Sequence, residues 1–91
     1  MRITILGKTW TLRIVPNLGK DRWADTDSPE ITNRQIRVRP HPKGGVRELD
    51  TYIHEFLHCA DWSKDEEWVK TTAKDIANAL WKLGYRRIKK E

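Results

Sequence analysis

Ninety-one residues, 37% hydrophobic and 34% charged, with a formal net charge of +5, describe one small domain (residues 1–91) with no room for a second. No apolar run is long enough for a transmembrane helix, and Met1-Arg2-Ile3-Thr4-Ile5-Leu6-Gly7 reads as a strand rather than as the apolar region of a signal peptide, so a cytoplasmic protein without membrane contact is expected. Cys59 is the single cysteine, which excludes an internal disulfide and an all-cysteine metal site.

The first half reads as β. Apolar and polar residues alternate from Arg2 to Leu6 (Ile3, Ile5) and from Thr9 to Val15 (Trp10, Leu12, Ile14), so each run has one face to bury. Gly7-Lys8 between them fits a two-residue hairpin loop with Gly at its first central position. Trp23 and Ala24 suit a short third strand, and Asp25-Thr26-Asp27-Ser28-Pro29-Glu30 a turn. Alternation resumes at Arg34 to Arg39, with Ile36 and Val38 on one face and Gln35, Arg37 and Arg39 on the other. Its arginines and the following Pro40 and Pro42 predict an edge strand.

After Gly44-Gly45 the period lengthens. Leu49, Ile53, Phe56, Leu57 and Ala60 gather on one arc of a helix expected over 46–61. Ser63 followed by Glu66 fits a capping box, and Val69, Ala73, Ile76, Leu80 and Leu83 predict the buried stripe of a second helix over 64–83, ending at Gly84. A basic tail follows, with Arg86, Arg87, Lys89 and Lys90. The expected fold class is α+β: a small antiparallel sheet of about three strands, confined to residues 1–40, followed by a helical hairpin.

The first helix carries His54-Glu55-Phe56-Leu57-His58, an H-E-x-x-H pattern. Residues four apart share a helix face, so both imidazoles can reach one metal ion, and Glu55, about 100° around from His54, can reach a water on it as general base. Catalytic zinc takes three protein ligands, and the third must be found elsewhere. The metzincin position six residues after His58 is Lys64, which excludes that class. His41, between two prolines, reads as a loop residue near the site or on the surface. Asp61 faces the same way as the histidines but lies about 10 Å along the axis from His54, which suits a partner of a ligand or a solvated helix end rather than a ligand. Among Asp65, Glu66 and Glu67, counting back from Val69 by three or four residues lands on Glu66 and Asp65, while Glu67 continues an exposed row, and Glu66 is favoured because its side chain is one methylene longer than that of Asp65. The alternative role of Glu66 is to close the capping box with Ser63. The reading is thus zinc on His54, His58 and Glu66, with Glu55 as the base.

These residues, with Ser63-Lys64-Asp65-Glu66-Glu67-Trp68-Val69 and then Ala73, Ile76, Ala77 and Leu80, resemble small gluzincin-like zinc metallopeptidase domains, forms of which occur among phage-encoded proteins and in the SprT-like and ImmA/IrrE groups. The resemblance covers roughly residues 34–85. It implies a minimal zincin fold, hydrolysis of a peptide or protein substrate, a third ligand at the start of the second helix, which falls on Glu66, and residence in the host cytoplasm if phage-encoded. The strand at 35–39 would bind substrate by strand addition. His41, Tyr52 and Tyr85 are candidates for steadying an oxyanion, and Tyr52 falls on the apolar arc. The alternative is a metal-stabilised binding module that cuts nothing, its basic surface (Arg34, Arg37, Arg39, Lys43, Arg47 and the tail) attracting nucleic acid or an acidic protein. The five tryptophans read mostly as structural, Trp10 by alternation and Trp62 or Trp81 at helix flanks.

Overall fold

A computed structural model describes residues 1–19 and 21–88, so Lys20 and two members of the basic tail, Lys89 and Lys90, lie outside the described residues. The chain runs β1 (Arg2–Ile5), β2 (Lys8–Ile14), β3 (Ala24–Thr26), β4 (Gln35–Val38), α1 (Val46–Ala60) and α2 (Glu66–Lys82). The class is α+β, with one four-stranded sheet and two helices among the described residues.

The sheet corrects four expectations. β1 and β2 form a hairpin in which Ile5 pairs with Lys8, so the loop is Leu6-Gly7 rather than Gly7-Lys8. Both loop residues have positive φ, 51° and 79°, the mirror-image turn that matches the twist of the flanking strands. The strand order is β1-β2-β4-β3, and the sheet is mixed: β4 runs parallel to β2 and antiparallel to β3. β4 is therefore an interior strand, and Asp25 and Thr26 belong to the edge strand β3 rather than to a turn. The physical reason is that β3 brings Asp25 and Asp27 alongside Arg37. The guanidinium donates to Asp25 Oδ1 and to Asp27 Oδ1, both at 2.6 Å, so the charge that suggested an edge is neutralised by its neighbour.

One sheet face is polar and the other carries the core: Trp10, Leu12, Ile36 and Val38, with Cys59 of α1 against them and Ile3, Ile5, Ala24, Tyr52 and Phe56 around the margin. Ile14, last in its alternating run, stays half exposed. Trp10 is fully buried and satisfies its indole N–H on the Asp27 carbonyl at 3.0 Å. α1 is covered on two sides, by the sheet and by α2, so Glu48 and Glu55 are buried although the sequence shows a single apolar arc.

α2 buries Val69, Ala73 and Ala77. Ile76 and Leu83, expected in that stripe, are exposed, and Leu80 is half-buried. At about 100° per residue, Ala73 and Ala77 step progressively to one side of Val69 and Ile76 and Leu83 to the other. The alanines, with the smallest side chains, let the helices approach, which selects their side. α2 starts two residues later than expected, because Asp65 and not Ser63 caps it: the Asp65 carboxylate accepts from the Trp68 amide at 2.8 Å. Ser63 instead donates its hydroxyl and its amide to Asp61. That turn occupies the Asp61 carboxylate away from the histidines and holds it below the usual carboxylate range, chiefly through the Ser63 hydroxyl.

Candidate metal centre

His54 and His58 lie one turn apart on α1, their rings edge to face with centroids 5.0 Å apart. Glu66, the first residue of α2, reaches across to both. Its Oε1 lies 2.7 Å from His54 Nε2 and its Oε2 lies 3.0 Å from His58 Nε2. The local reason is the cap. With Asp65 satisfying the helix N-terminus, the Glu66 side chain has no capping role, and about 60° around from Val69 it sits in the middle of the arc that faces α1. Glu67 and Asp65 are exposed and outside the cluster. Neither Asp61 nor His41 joins it. His41 packs against Trp23, with ring centroids 4.9 Å apart, and its Nε2 lies 3.3 Å from Thr51 Oγ1, toward the other end of α1.

The donor set can be tested against an ion. Tetrahedral zinc with bonds of about 2.0–2.2 Å separates its ligand atoms by roughly 3.3–3.5 Å. The two nitrogen to oxygen distances are a few tenths of an ångström shorter, and the three side chains offer ligand atoms all within 4.8 Å of one another. The imidazoles are mostly buried, with side-chain exposures of 20% and 17%, whereas the Glu66 side chain is 67% exposed and free to open the cluster by that amount. Two neutral imidazoles and a carboxylate fit a divalent ion of the zinc class, and a bound ion would keep an open side toward solvent.

Glu55, the neighbour of His54 on α1, turns toward the sheet. It is 5% exposed, and its Oε1 accepts a hydrogen bond from Thr26 Oγ1 of β3 at 2.6 Å. Burial pushes its carboxyl above the ordinary glutamate range, opposed by the Thr26 hydrogen bond and by the neighbouring imidazoles. Thr26 has no counterpart in the sequence reading, which placed it in a turn. Only the pairing of β3 with β4 brings it over α1, and no local pattern signals that. One turn further on, the Cys59 thiol is pushed up to about 12, chiefly by burial with the Glu55 carboxylate adding to it.

The remaining polar candidates lie elsewhere. Tyr52 and Tyr85 line a cleft of about 540 Å³ between the N-terminal part of α1 and the C-terminal part of α2, at the opposite end of the hairpin from Glu66. The Tyr52 hydroxyl accepts from Arg87 at 3.0 Å. Neither tyrosine nor His41 is placed to meet a group held at the cluster. One tryptophan flanks the cluster: Trp62, with its ring centroid 5.9 Å from that of His58. No family model matches the chain, and no solved structure matches it. No helix is long and apolar enough to cross a membrane among the described residues.

Proposed function

We propose that the protein is a zinc-dependent peptide hydrolase of the gluzincin-like kind, with His54, His58 and Glu66 holding the ion and Glu55 serving as general base. The observation that carries this reading is the convergence of two imidazole Nε2 atoms and one carboxylate from separate helices, next to a buried glutamate of raised proton affinity. Bound zinc supplies Lewis acidity toward a scissile carbonyl and toward water. Glu55 takes and returns a proton. Thr26 fixes its Oε1 in place, while Oε2 accepts no hydrogen bond among the described residues and remains for the exchanged proton. The raised proton affinity brings Glu55 closer to the working pH, where a base and its conjugate acid are both available.

The peptide-binding edge moves with the topology. β4 is interior, so strand addition belongs to β3. In the antiparallel ladder Trp23 and Asp27 bond to β4, the Trp23 carbonyl to Arg39 N–H at 2.8 Å and the Asp27 N–H to the Gln35 carbonyl at 2.9 Å. Ala24 and Thr26, between them, direct their backbone groups outward. An extended substrate added there lies beside the strand that holds Glu55.

The test is paired. Elemental analysis with peptide hydrolysis is expected to give one zinc per chain in wild type and in Glu55→Gln, with activity lost only in the variant. Glu66→Ala is expected to lose zinc at least tenfold more readily than Glu67→Ala. Full activity in Glu55→Gln, or equal zinc affinity in the two alanine variants, refutes the assignment.

A further inference from the structure

Trp23, the residue before β3, stands half exposed at the N-terminal end of α1. The Arg39 guanidinium lies 4.8 Å from the centroid of its ring and that of Arg47 6.0 Å, with His41 tilted against it at 4.9 Å. Trp23, His41, Lys43 and Arg47 line an open cleft of about 480 Å³, and Arg39 reaches it only through the Trp23 ring. Asp50 also borders the cleft, yet among the described residues no carboxylate forms an ion pair with Arg39, Lys43 or Arg47. By contrast Arg22, Arg37 and Arg87 are each paired with an acid. Two cations, Lys43 and Arg47, thus line one concave, aromatic-walled site with Arg39 against its Trp23 wall, outnumbering Asp50 and leaving a net positive potential.

The cleft meets β3 at Trp23, the residue directly before the strand. That strand and α1 run side by side in the same direction, with Trp23 beside Arg47 and Thr26 bonded to Glu55. We infer that the Trp23–Lys43–Arg47 cleft is a subsite for an acidic side chain of an extended polypeptide laid along β3. The adjacent edge offers peptide-specific backbone hydrogen bonds, whereas the Trp23 ring is already engaged by Arg39, Arg47 and His41, so a nucleobase finds no ready stacking face. From Arg47 to His54 α1 rises about 10 Å, which an extended chain spans in about three residues. Antiparallel addition to β3 runs the peptide from the metal cluster toward Trp23. It therefore puts the acidic residue about three positions C-terminal to the bond that is cut. That register rests on the hydrolase reading; the acid-binding cleft itself does not.

The experiment compares binding, by fluorescence anisotropy at low salt, of a labelled Thr/Val-rich peptide carrying one glutamate with its glutamine counterpart. The glutamate peptide is expected to bind on the order of tenfold more tightly, with the gap closing as salt rises. Lys43→Gln combined with Arg47→Gln, checked for folding by circular dichroism, should abolish the gap, and Lys43→Gln alone should narrow it. Equal binding of the two peptides, a full gap in the double variant, or tighter binding of a single-stranded oligonucleotide overturns the subsite. Moving the glutamate along the peptide and mapping cleavage by the zinc-loaded protein separates the two readings. Cleavage indifferent to glutamate position removes the register and leaves the hydrolase, while glutamate-dependent binding without cleavage keeps the subsite and removes the hydrolase.

Discussion

Replacing Thr26 by valine removes one hydroxyl and nothing else of substance, because valine keeps the β-branch and the volume that the strand position uses. What is lost is the 2.6 Å hydrogen bond to Glu55, a carboxylate that is 5% exposed and cannot recover the bond from bulk water. A hydrogen bond to a charged group is worth about 1.5–3 kcal/mol, and a buried acceptor left without its donor falls in the same range. Ninety-one residues at typical density carry only roughly 5–14 kcal/mol of total stability, so the loss is a substantial fraction. At about 4–8 °C per kcal/mol for a domain of this size, the thermal midpoint should fall by roughly 6–24 °C. The assay is thermal unfolding followed by far-ultraviolet circular dichroism, run with chelator so that no ion contributes. Thr26→Ser retains the donor and should keep more than half of the difference. A valine variant melting within about 2 °C of wild type, or a serine variant no better than valine, refutes the role of this bond.

Three further outcomes are expected. Leu6 is 80% exposed and held at φ 51°, a conformation that a leucine side chain disfavours, so Leu6→Asn should stabilise the hairpin by about 1 kcal/mol in urea unfolding; a destabilised variant would show that leucine makes a needed contact. The Cys59 thiol, pushed up to about 12, should resist a thiol reagent in the folded protein at pH 8 and react promptly in denaturant, and equal rates in the two states would contradict its burial. Arg37, by its hydrogen bond, and then the Gln35 amide hold Asp27 below the ordinary carboxylate range, so the unfolded chain binds the proton more readily. The stability this contributes is present above about pH 4 and is lost as pH falls through the folded-state value. Asp27→Asn should therefore be less stable than wild type at pH 7, with the gap shrinking in acid; a gap independent of pH overturns the ion-pair account.

What the sequence alone determined is local. The alternation of Trp10 with Leu12 and of Ile36 with Val38 marked four core residues of the sheet, because side-chain direction in a strand depends only on position. The spacing of His54 and His58 placed them on one face of α1 by the same logic, and helical phase turned Glu66 rather than Glu67 toward that helix. Cap identity was already less legible, since Ser63, Asp65 and Glu66 all offer oxygens within one turn, and the choice of Asp65 depends on the Asp61–Ser63 turn before it.

Tertiary structure decided the rest. No local pattern reports which strands become neighbours, and the arginines of β4 read as an edge until Asp25 and Asp27 arrived from β3 to neutralise Arg37. The same insertion of β4 between β2 and β3 made β3 the outer strand, carried Thr26 onto Glu55, and set Trp23 beside Arg39 and Arg47. The Thr26 bond to Glu55 spans 29 positions in the chain, and its energy is available only once the sheet has closed over α1. A periodic pattern within one element encodes what that element exposes. What meets it there is settled by the competition among all the elements for a single core.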